Sequence, residues 1–137
     1  MGASKAIASF AIPLGNTINM NGTSIYMGVT AVFAAEVFGI DLTLAQQFQI
    51  VLMGVLAAVG TAGVPGAGLI MTTLVFTEVG IPIEAVALIA GIDRILDMIR
   101  TSVNVLGDSL TALVVSKSEG VLGTELMDQD TVVKEQL

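Results

Sequence analysis

Two stretches of this 137-residue chain contain no Asp, Glu, Lys or Arg: residues 6–35 and residues 42–77, 30 and 36 positions long. A water-soluble domain cannot leave runs of that length uncharged and still cover its surface. Only 12% of the chain is charged, about half the usual fraction, and mean hydropathy is +0.90. Disorder is excluded, since it requires low hydrophobicity and high charge. Twelve acids against five bases, a net charge of −7, leave no basic surface for phosphates, so nucleic acid is excluded as a partner. The chain belongs in a lipid bilayer.

Cysteine and histidine are absent. Thiol chemistry, disulfides and thiolate metal sites therefore fall away, together with any Ser-His-Asp or Cys-His nucleophile. With no Trp and a single Tyr, interfacial anchoring must come from charges.

A bilayer core of about 30 Å takes about 20 helical residues. The first uncharged run suits one tilted helix, interrupted near Asn19-Met20-Asn21-Gly22-Thr23. The second is too long for one span and short for two. Its middle, Gly60-Thr61-Ala62-Gly63-Val64-Pro65-Gly66-Ala67-Gly68, breaks a helix. Two short arms around a Gly/Pro tip read as a re-entrant hairpin; a kinked helix or two short tilted spans are the alternatives. With a hairpin, Lys5, Lys117 and Lys134 fall on one side and Glu36, Asp41, Glu78 and Glu84 on the other. The positive-inside rule places the first side, and the C-terminus, in the cytoplasm.

The last apolar segment carries Asp93, Arg94, Asp97, Arg100 and Asp108. At helical pitch, Asp93, Asp97, Arg100, Thr101, Asn104 and Asp108 share a stripe about 100° wide, with Arg94 at its edge. Charges at that depth are expensive and are functional by default. A self-compensating ladder that holds helices together is the plainer reading for Asp93, Asp97 and Arg100. It does not cover Asp108, which has no basic partner in reach along the helix and invites a cation or a proton. Broken helices expose carbonyls suited to hard cations such as sodium. Arg100 offers a fork for a carboxylate, and Asp97 could hold an ammonium. The residues alone point to ion-coupled transport of a small zwitterion or anion.

At these positions the chain closely resembles the dicarboxylate/amino acid:cation symporter family, the glutamate transporter fold. The resemblance rests on Ile12-Pro13-Leu14-Gly15 followed by NMNGT, on GTAGVPGAG, and on GIDRILDMIRTSVNVLGD from Gly91 to Asp108. It extends over about residues 1–118. It implies an all-α membrane fold comprising transmembrane helix 7 (9–38), re-entrant hairpin 2 (43–78) and transmembrane helix 8 (83–117) of an elevator transport domain; beyond it, composition alone marks 118–137 as a polar cytoplasmic tail. By matching position, Arg100 would bind the side-chain carboxylate of aspartate or glutamate and Asp97 its amino group. Thr101, Asn104 and Thr23 would complete the polar shell, and Val64 in the hairpin tip would close over the substrate. One sodium would take Gly15, Asn19, Asn104 and Asp108; a second would take Thr17, Ala58, Val59 and Thr61.

The family usually has Asp where this chain has Asn21, at a third cation site. An amide keeps an oxygen ligand but loses a full charge, which opens a different stoichiometry or proton coupling. Arg94 resembles an arginine that many members place near the substrate acid; it reads equally as a partner for Asp93 or Asp97. The resemblance further implies an integral protein of the cell (inner) membrane surrounded by lipid, with no cofactor beyond coupling sodium ions and no enzymatic activity. A homotrimeric parent would contain a first hairpin and scaffold helices ahead of this stretch, so the chain reads as a C-terminal fragment. The alternatives are a C4-dicarboxylate symporter or a non-transporting membrane fragment. An intramembrane enzyme built on Asp93 and Asp97 comes last, because Arg100 would keep both ionised.

Overall fold

A computed structural model describes residues 2–61, 64 and 66–124. Among them the chain is entirely helical: α1 (Lys5–Ile18), α2 (Asn21–Val37), α3 (Leu44–Gly60), α4 (Ala67–Val79), α5 (Glu84–Ala90) and α6 (Asp93–Ser118). None of these helices is long and apolar enough to cross a membrane by itself. The reasons are local. The first apolar run is divided into 14- and 17-residue pieces, and the hairpin arms are 17 and 13 residues long. The 26-residue α6 carries the charged stripe.

The break between α1 and α2 is narrower than the five residues anticipated. Only Asn19 (φ −114°, ψ 58°) and Met20 (φ −97°, ψ 63°) leave helical geometry. Asn21, Gly22 and Thr23 already form the first turn of α2, because α6 caps it: the Gly22 N–H donates to Asn104 Oδ1 at 2.8 Å. A helix start left without such a partner would hold unsatisfied donors.

Residues 44–79 fold as two arms. Thr43 and Gln46 form a reciprocal capping box that starts α3. The second arm ends at Gly80, whose φ of +80° is a conformation that side chains disfavour, and the Ile81 N–H closes back on Phe76 O at 2.9 Å. Gln46 Nε2 donates to Val79 O, so the outer ends of both arms meet. Ala62, Gly63 and Pro65 of the tip lie outside the described residues.

The last apolar segment, anticipated as one helix over 83–117, is interrupted at Gly91-Ile92, and α6 begins on Asp93. An acid suits the positive end of a helix. At the far end of α6, the Ser4 N–H donates to Ser116 Oγ at 3.1 Å and the Gly123 N–H to Gly2 O at 2.7 Å. Lys5 and Lys117 thus sit at one end of the molecule. Of the expected tail at 118–137, residues 125–137 lie outside the described residues.

The core lies between α2, α3, α4 and α5 around Phe76, Met27, Ile50, Val75 and Ile89, with Ala31, Ala34, Ala35 and Ala85 letting the backbones approach. Large apolar side chains also point outward from most helices; Leu44, Phe48 and Phe10 are more than 70% exposed. Contiguous apolar exposure of this kind belongs against lipid or other protein.

Candidate functional site

The negative end of α1, the first turn of α2, the hairpin tip and the middle of α6 meet around a cavity of about 190 Å³. Its wall includes Asn16, Met20 and Thr23 from the broken helix, Thr61, Val64 and Gly68 from the hairpin, and Asp97, Arg100, Thr101, Asn104 and Asp108 from α6. Every residue proposed for the substrate shell therefore faces one space. Terminal carbonyls of α1 have no intrahelical donors, so the same space has a negative helix end beside a positive one.

Arg100 dominates the electrostatics. It is only 6% exposed, and its Nη2 donates to Asp97 Oδ1 in an ion pair. The guanidinium carbon lies 4.5 Å from the centroid of the Tyr26 ring, within cation–π range. Among the described residues, Nη1 is buried with no acceptor. A buried cationic donor left unpaired is costly, and an anionic oxygen entering the cavity would relieve it.

Asp93 is buried and accepts from Tyr26 Oη at 3.0 Å. It is therefore partnered by a phenol, not by either arginine. Arg94 is exposed, outside the cavity, and among the described residues makes no ion pair with Asp93 or Asp97. Asn104 uses both ends of its amide: Oδ1 caps α2, and Nδ2 donates to Thr23 Oγ1 at 3.3 Å.

Asp108 is 4% exposed and receives one neutral donor, Asn19 Nδ2 at 3.0 Å. Gly15 packs so tightly on it that a Cβ there would collide with the carboxylate. Gly15 and Asn19 are thus brought onto Asp108 at the helix break, and Asn104 lines the same cavity as Asp108. One carboxylate with carbonyl and amide oxygens is a donor set for a hard cation. No cluster of three or more Asp, Glu, His or Cys forms among the described residues, so a polyvalent metal has no such nest there.

The second cation set is gathered less fully. Thr61 lines the cavity, with Oγ1 donating to Ala57 O at 2.6 Å and its N–H to Ala58 O at 3.3 Å. Ala58 is buried, while Thr17 and Val59 are exposed and off the cavity wall. Asn21 is also exposed, with its amide packed against Gly107 on α6 and not on the cavity.

Three contributors were not anticipated: Tyr26, Gly68 and Asn16. Tyr26 had a readable signal, since it follows Thr23 by three positions on α2 and so shares its face.

The cavity thus holds a buried cation and, among the described residues, a carboxylate without a counter-charge, inside an apolar helical unit. The model of the sodium:dicarboxylate symporter family matches residues 1–118. The chain belongs to that family, whose members are integral membrane transporters. It is 47% identical over 124 residues to a proton/sodium-glutamate symport protein of Geobacillus stearothermophilus, covering 90% of this chain and 30% of that protein. It is 43% identical to a proton/glutamate-aspartate symporter of Escherichia coli strain K12, over 86% of this chain and 27% of the relative. Against human excitatory amino acid transporter 2 it is 44% identical, over 87% and 21% respectively. The chain spans less than a third of the length of these curated relatives.

Proposed function

We propose that this chain carries the substrate- and cation-binding part of a cation-coupled symporter for acidic amino acids, aspartate or glutamate. One observation carries the reading: a buried Arg100 with an unsatisfied Nη1 faces the same cavity as Asp97 and Asp108. Arg100 takes the side-chain carboxylate. Asp97 has committed Oδ1 to Arg100, and its other oxygen takes the ammonium group. Thr23, Thr101 and Asn104 supply the polar shell, and Val64 covers the site from the hairpin. Asp108 with Gly15, Asn19 and Asn104 holds one sodium. Thr17, Ala58, Val59 and Thr61 hold a second when the tip closes, and Asn21 weakens a third site. Sodium acts here as a co-transported ion. The names of the relatives, which pair glutamate or aspartate with protons or sodium, support this assignment.

Within the same reading, α1 and α2 form transmembrane helix 7, α3 and α4 the second re-entrant hairpin, and α5 and α6 transmembrane helix 8 of an elevator transport domain. The pairing of Ser4 with Ser116 supports a common cytoplasmic side for both ends, in the cell (inner) membrane. A complete transporter would be a homotrimer.

The test is calorimetric titration of the purified 137-residue chain in lipid nanodiscs with L-aspartate, in sodium and in choline buffer. Sodium-dependent binding is expected, and Arg100→Ala should weaken it by about 30-fold or more, the cost of unpairing a buried charge. Absence of binding by the native chain, or an unchanged affinity in the variant, would overturn the reading. Succinate outcompeting aspartate would replace it with a dicarboxylate carrier.

A further inference from the structure

We propose that Gly68 determines specificity in this site: the missing side chain on the first turn of α4 is what allows the Arg100 guanidinium to stand in the cavity. The inference rests on the reading of Arg100 as the anion-binding group.

Gly68 is the second residue of α4 and is not among the glycines with positive φ. Its backbone is ordinary helix, so nothing conformational requires glycine there. Alanine would in fact favour the helix by up to about 1 kcal/mol. The requirement lies across the gap. A Cβ on Gly68 would fall 2.5 Å from Arg100 Cζ and 2.7 Å from Nη2, and closer still to Nη1. Gly28, on α2, has nothing within 4 Å of such a Cβ. The orphaned Nη1 independently marks the same spot, since the one donor of Arg100 buried without an acceptor is also the atom nearest that Cβ.

The far end of an arginine is flexible, and elsewhere it would simply swing aside. Here it is held by Asp97 and by the Tyr26 ring. A methyl group at position 68 therefore leaves the helices intact but drives the guanidinium off the ring and out of line with an incoming carboxylate. Hairpin and α6 are matched: a bare backbone on one admits a planar cation on the other. A side chain at 68 would shift preference from acidic towards neutral amino acids.

The chain contains its own probe. Tyr26 is its single tyrosine and there is no tryptophan, so near-ultraviolet circular dichroism reads the ring under Arg100 without labelling. In the full chain in nanodiscs, Gly68→Ala should keep the native far-ultraviolet spectrum, shift the Tyr26 signal to that of Arg100→Ala, and weaken aspartate at least about tenfold relative to alanine. Gly28→Ala should do none of this. Adding Gly68→Ala to Arg100→Ala should change the Tyr26 signal no further, which a general packing defect would not reproduce. A native Tyr26 signal in Gly68→Ala overturns the proposal; so does loss of helical content, since the clash would then be with the fold and not with the guanidinium. If the native chain binds no aspartate, the function assigned above fails, and the Tyr26 signal still decides the role of Gly68.

Discussion

The two halves of the broken helix have similar compositions but very different surroundings. α2 buries eight of its residues, including Thr23, Tyr26, Met27 and Ala31, against α3, α4 and α6. α1 buries Gly15 alone. Phe10, Ile12, Leu14 and Ile18 stay exposed, and a groove of about 630 Å³ runs between α1 and α6. Hydrophobicity therefore does not say where this molecule is held together. What separates the halves is the partner: α2 has the hairpin beside it, and α1 has little beyond α6. The site lies where they meet, with rigid packing behind Arg100 and an open flank beside Asp108. The group proposed to bind the anion is thus backed by a firm wall, and the position proposed for the cation lies beside the loosely packed side.

The largest effect that would sharpen this contrast is on the α2 side. Phe76 is fully buried in the core facing α2. Phe76→Ala should cost about 3–5 kcal/mol, read by denaturant unfolding of the chain in micelles. A cost near that of a surface change would mean that the packed half is not where stability resides. Next comes the boundary. Asp108→Asn keeps the shape and removes a buried charge that has no basic partner among the described residues, so unfolding should barely move. The sodium concentration needed for half-maximal aspartate binding should rise at least about tenfold. An unchanged sodium requirement would take the cation away from the helix break.

Much of this division was legible in the sequence, for physical reasons that differ from residue to residue. The interruption near Asn19-Met20 and the division of residues 42–77 into two arms announced themselves through Asn, Gly and Pro, which act locally; the Thr43–Gln46 cap emerged only in the structure. The stripe on α6 followed from helical pitch alone. The partners did not follow. Asp93 was expected beside an arginine, but the phenol of Tyr26 reaches it from 67 residues away. The fixed register of α2 on α6 decides that pairing, and no spacing rule contains it. Gly68 was hidden for a related reason: within a Gly-rich tip it reads as one more flexible position, and only Arg100 on another helix reveals what the missing Cβ is for. The interruption at Gly91-Ile92 escaped because an isolated glycine in a helical pattern is tolerated as often as it breaks one.

The smallest effect should be found on α1. Phe10 is 71% exposed and lines the groove beside Ile7, Leu14 and Val115. Truncating it leaves no enclosed void, because its outer side already lacks neighbours, so the cavity penalty that makes Phe76 costly does not arise. Phe10→Ala should change unfolding of the chain in micelles by less than about 0.5 kcal/mol and leave the Tyr26 signal native, because Phe10 lines a groove to which Tyr26 does not contribute. The same truncation therefore separates the halves by several kcal/mol on residues of one type. If Phe10→Ala instead cost as much as Phe76→Ala, the groove would be closed in solution, and the open flank assigned to the cation side of the site would have to be given up.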